Sequence, residues 1–135
     1  MSHFWLGVLW LHVIAMAFFV GGQLLLAVAV VPVARQSGDL LQLRAIARRF
    51  GWGTLVAIGV LLATGSAMAT RYDLWNDGTL RVKLALVALV TVLVVWHMRR
   101  PTMHALEAAI FLLSLVIVWL GLDPGTVSTH DAPVK

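Results

Sequence analysis

The sequence predicts an all-α integral membrane protein, a four-helix bundle running up, down, up and down through the bilayer. Three observations carry that prediction. Of 135 residues 61% are hydrophobic and only 12% are charged, against roughly 25% charged in an ordinary soluble domain. The mean hydropathy is +0.93, too apolar for the few charges to cover the surface of a water-soluble globule. The apolar residues also fall into four separate stretches, each near the roughly 20 residues that a helix needs to cross the hydrocarbon core. There are no cysteines, which excludes disulfides, thiolate metal sites, iron–sulfur clusters and covalently attached c-type haem. A metal must then be held by His, Met, carboxylate or backbone.

The first span, about residues 4–31, contains no charge from Phe4 to Val31. No Lys or Arg precedes it, so it lacks the basic start of a cleaved signal peptide and is expected to be retained. Pro32 is expected to end it. From Arg35 to Arg49 apolar residues alternate with Arg44, Arg48 and Arg49, a pattern that predicts a short interfacial amphipathic helix. The second span covers about 50–70 and the third about 80–98, joined by a turn whose Tyr72 and Trp75 suit the membrane interface. The tight basic turn Arg99-Arg100-Pro101 leads into the fourth span, about 103–122. Residues 1–122 therefore form one transmembrane domain, and the polar tail 123–135 is expected to be disordered.

Six of the Lys and Arg residues lie in the first and third connections (Arg35, Arg44, Arg48, Arg49, Arg99 and Arg100), against four in the second connection and tail. The positive-inside rule then predicts cytoplasmic first and third connections and both termini on the periplasmic or extracellular side. Topology and anionic lipid account for the net charge of +4, so nucleic acid is not an expected partner.

Ionisable groups are costly inside a bilayer, so each one within a span is a candidate site. His12 lies about two turns into the first helix, and Met16, Phe19 and Gln23 follow at offsets that place all four on one face. An imidazole and a thioether one turn apart suit a soft ion such as Cu(I). The plainer alternative is a bundle-facing histidine hydrogen-bonded to a neighbouring helix, with Met16 as filler. On the third helix Lys83 is either a snorkelling surface lysine or a fixed positive charge suited to an anion or a haem propionate. Around the basic turn, His97 and Met98 face Met103 and His104 across Pro101, with Glu107 one turn on. These offer a second stop for a cation, although Arg99 and Arg100 oppose one. Gly59, Ala63 and Ala67 recur every four residues and are expected to pack closely on another helix. Gly21-Gly22 is expected to admit a helix or a flat cofactor.

The stretch Leu11-His12-Val13-Ile14-Ala15-Met16-Ala17-Phe18-Phe19-Val20-Gly21-Gly22 resembles the L-H-x-x-A-x-x-x-W-x-G-G helix of the copper-resistance protein D (CopD) family, with Phe19 where that family usually has Trp. Arg49-Phe50, Leu62-Ala63-Thr64-Gly65, Leu80-Arg81-Val82-Lys83-Leu84 and Arg99-Arg100 extend the resemblance over most of residues 11 to 100. It implies copper handling at the bacterial inner membrane, with uptake from the periplasm alongside a periplasmic copper chaperone, and it puts His12 and Lys83 at matching polar positions. The chain is shorter than the family's longer members, which implies a minimal unit working as a homo-oligomer or beside a partner. The same landmarks resemble the HemJ family of membrane protoporphyrinogen oxidases, which implies b-type haem instead.

A haem held by both His12 and His97 is disfavoured, because their positions along parallel helices differ by roughly 12 to 20 Å at 1.5 Å per residue. A haem with His12 as its sole histidine ligand, and Lys83 as ligand or propionate partner, escapes that objection. The expected function is accordingly copper binding or import, with His12 and Met16 receiving copper near the periplasmic side and the His97, Met98, Met103 and His104 turn as relay. A haem-binding redox protein is the alternative, and a structural or assembly subunit the third reading. No nucleophile with an oriented base, phosphate loop or paired carboxylates stands out, so an enzyme is the less favoured class.

Overall fold

The computed structural model describes residues 2–100 and 104–122. Helix α1 (His3–Leu25) passes through a π-helical turn (Leu26–Val30) into α2 (Val31–Gln36); α3 (Leu40–Arg71), α4 (Gly78–Arg99) and α5 (His104–Leu122) follow, and no strand occurs among the described residues. Four helical stretches are long and apolar enough to cross a membrane by length and composition: His3–Gln36, Leu40–Arg71, Gly78–Arg99 and Ala105–Leu122.

Helix one does not stop at Pro32. A proline inside a straight α-helix lacks the N–H for its ladder bond, and its ring meets the carbonyl four residues back. Here the π-helical turn, in which the Val31 N–H reaches Leu26 O, widens the helix just ahead of the proline. Pro32 therefore occupies the first turn of α2, where prolines are tolerated. The real stop is Gly38, whose φ of +69° only glycine adopts freely.

The basic stretch up to Arg49 is likewise no separate interfacial helix but the first turns of α3. Asp39 caps α3 by accepting from the Gln42 N–H at 3.0 Å, and nothing between Leu40 and Arg71 breaks the ladder. Asp77 does the same for α4, accepting from the Thr79 N–H at 2.9 Å. The turn between α3 and α4 is closed by Asp73 in the left-handed region, φ 54°, with Trp75 Nε1 donating to Thr70 Oγ1 at 3.2 Å.

Each helix packs on two others, α1 on α3, α3 on α4, α4 on α5 and α5 back on α1, so the four spans close a ring. Its core is Phe19, Ala57, Ile58, Val90, Val94 and Ile110. Large apolar side chains such as Trp10, Val28, Val56, Val92 and Trp119 face outward, as expected where lipid rather than water is the solvent. The α1–α3 seam is antiparallel and tight. Gly22 lies against the Phe50 ring, and that ring stacks at a tilt on Phe18 with centroids 5.8 Å apart. At the opposite end the Arg71 guanidinium sits 5.7 Å over the Trp5 ring.

Two members of the Gly59, Ala63, Ala67 stripe do not pack inside the chain: Gly59 and Ala63 are exposed, and a Cβ on Gly59 meets nothing within 4 Å. The inward face of α3 carries Gly51, Thr54, Ala57, Ile58, Thr64 and Ala69 instead. Small residues recur on both faces of this helix, so their spacing alone does not choose between them.

Candidate functional site

The imidazole of His12 is held by α3. His12 Nδ1 and Thr64 Oγ1 are 2.7 Å apart. Thr64 Oγ1 also lies 2.7 Å from Val60 O; with its single proton donated there, the hydroxyl oxygen accepts from His12. We assign the ring proton to Nδ1 on this pattern, which leaves Nε2 as the unprotonated nitrogen. That is the arrangement of metal-ligating histidines, in which a second hydrogen bond fixes tautomer and ring orientation. Gly65 follows immediately, and a Cβ there would stand 3.5 Å from His12 Cε1; glycine leaves this flank of the ring uncrowded.

His12, Met16 and Phe19 of α1 line one wall of a cavity of about 350 Å³, within the roughly 300–1,000 Å³ typical of small-molecule sites. Most of the lining is apolar. Lys83 of α4 brings a positively charged side chain to the same lining. Tyr72 and Trp75, from the turn between α3 and α4, line the same cavity, so aromatic side chains of the interface mark the end nearer His12.

Of the sequence candidates, His12, Met16 and Lys83 thus share one cavity. Gln23, on the same face of α1, reaches across the bundle, its Nε2 donating to Ser114 Oγ at 3.2 Å. Ser114 is fully buried, donates onward to Ile110 O at 2.7 Å, and lines the cavity as well.

His97 and Met98 lie elsewhere. Together with Arg44, Ala47 and Arg48 they line a separate cleft of about 170 Å³ at the other end of the bundle. His97 Nε2 is 3.4 Å from Glu107 Oε1. Met103 lies outside the described residues, as does the side chain of His104, so the four-residue relay is described only in its α4 half. Among the described residues no three His, Asp or Glu side chains gather as a metal-binding group. Comparison of the chain with models of known families, with curated proteins and with solved structures finds no match. The reading of the site rests on its own geometry.

Sequence reasoning missed Thr64 as the partner of His12, yet a signal for it exists. Thr64 lies as far after Gly38 as His12 lies before it, and Arg71 and Trp5 are related in the same way. Folding an antiparallel helical hairpin at its glycine therefore brings each pair to one level.

Proposed function

We propose that this chain is an integral membrane protein that holds haem b in the outer cavity, where His12 would be the residue that binds its iron. The observation that carries this reading is an imidazole paired with Thr64 that lines a mostly apolar cavity of about 350 Å³. A lone ion needs far less space than this and gains nothing from apolar walls, whereas a flat macrocycle is stabilised by burying its faces against them. Lys83 points the same way. Its ammonium opposes a bare cation at His12 but complements a propionate. When bound, haem supplies one-electron chemistry at its iron; the protein orients the ligand nitrogen, excludes water with Phe19 and the surrounding apolar lining, and places a cation at the rim. The excess of arginine at the far end of the bundle supports a bacterial plasma-membrane orientation with His12 in the half nearer the periplasm.

Copper binding is the second reading, and Met16 is the observation that favours it. Its thioether lines the same wall one turn from His12, which offers a soft pair of donors suited to Cu(I).

Purified from membranes in mild detergent, the protein is expected to show a Soret band with close to one haem per chain, and copper far below one per chain by elemental analysis. Copper near one per chain without a Soret band overturns the haem reading in favour of the second. If neither is bound, and neither is taken up on reconstitution, both fail and the polar interior serves helix packing alone.

A further inference from the structure

The cleft lined by Arg44, Ala47, Arg48, His97 and Met98 has a character opposite to that of a cation relay. Arg44 and Arg48 are one turn apart on α3 and exposed, and neither makes an ion pair among the described residues. Among the described residues no carboxylate lines the cleft. The two acidic residues of the described chain at this end are already committed, Asp39 to the backbone of α3 and Glu107 to His97. Arg49, Arg99 and Arg100 add further positive charge to the same end. Two guanidinium forks at helical spacing over a concave floor suit the oxygens of a phosphate.

The depth of the cleft indicates where that phosphate comes from. Trp52 on α3 and Trp96 on α4 are exposed and lie within about one turn of Arg48 and His97. Tryptophan belts mark the headgroup level of a bilayer. Further along the same helices, toward the middle of the bundle, Val56 and Val92 present exposed apolar surface, suited to acyl chains. Met98 forms the floor, held because Gly51 leaves room for it; a Cβ on Gly51 would come within 2.7 Å of Met98 Cγ.

From this juxtaposition we infer that the Arg44–Arg48–His97 cleft between α3 and α4 binds the phosphate of an anionic membrane lipid. The inference is independent of what occupies the outer cavity. Basic clefts between transmembrane helices are suited to such headgroups, since arginines near the surface attract anionic lipid.

The test uses the full chain in mild detergent, titrated with phosphatidylglycerol or phosphatidylcholine and read by native mass spectrometry. Wild type is expected to retain phosphatidylglycerol at least tenfold better than phosphatidylcholine. Arg44→Gln/Arg48→Gln is expected to lose most of that preference, while Arg49→Gln/Arg81→Gln, with the same change in net charge, keeps it. An unselective wild type, or equal loss in both double variants, overturns the proposal. Inorganic phosphate is the second arm. If millimolar phosphate displaces the lipid completely and binds with equal affinity to the lipid-free protein, the cleft is a site for free phosphate and the lipid assignment falls. Thermal unfolding of both double variants, expected to match wild type in lipid-free detergent, separates loss of binding from loss of fold.

Discussion

Replacing His12 by alanine is expected to abolish the Soret band, and imidazole added to the buffer is expected to restore part of it by entering the space the side chain leaves. Thr64→Val is expected to give an intermediate result. Valine keeps the shape of threonine but removes the oxygen that accepts from His12 Nδ1, so the ring loses the bond that sets its tautomer and its aim. Losing such an outer partner typically costs 10- to 100-fold in affinity for the bound group. The orphaned Nδ1–H adds about 1–3 kcal/mol of destabilisation where no water replaces the acceptor. Thr64→Ser keeps the oxygen and is expected to recover most of the affinity. Haem titration read at the Soret band separates the three variants. If His12 merely tied α1 to α3, His12→Ala and Thr64→Val would lower thermal stability alike and leave haem affinity unchanged, and added imidazole would restore nothing. That pattern would remove His12 from the site.

The parts of this structure that are legible in the sequence are those written in local composition. Four apolar stretches become four spanning helices because hydropathy and length are properties of each segment alone. The stripe of His12, Met16 and Phe19 reaches a common cavity because helical periodicity fixes which residues share a face. What the sequence does not display is which face of one helix meets which face of another. The outward turn of Gly59 and Ala63, the bond between His12 and Thr64, and the meeting of Arg44 and Arg48 with His97 all depend on the register between helices. Pro32 is misleading for a related reason. Its effect depends on a π-helical turn that composition does not announce, and the widened backbone carries the helix six residues past Val30 to Gln36. The inner His–Met turn shows the same limit. Spacing alone suggests a cation relay, and it does not display that Arg44 and Arg48 of α3 line the same cleft as His97 and Met98.

The register that carries the site is itself open to a test of opposite signs at adjacent residues. Gly21→Ala and Gly22→Ala both exchange glycine for the better helix former, a gain of about 0.8–1 kcal/mol in an ordinary helix. At Gly21 nothing lies within 4 Å of the new methyl, so the gain is expected to appear undiminished as higher thermal stability. At Gly22 the methyl would stand 2.5 Å from Phe50 Cε2 and 2.7 Å from Cζ, well inside the roughly 3.5–4.0 Å at which carbon atoms rest. The ring is stiff and is backed by Phe18, so relief requires α1 and α3 to part or the aromatic pair to turn. Forced overpacking of this kind costs about 1–3 kcal/mol. Gly22→Ala is therefore expected to unfold several degrees below wild type in detergent and, because the same seam carries the His12–Thr64 bond, to hold haem more weakly as well. Phe50→Leu combined with Gly22→Ala is expected to be less damaging than the two single losses added together, since the smaller side chain gives way to the methyl. Equal behaviour of the two glycine variants would mean that α1 and α3 do not meet in this register, and the pairing of His12 with Thr64 would fall with it.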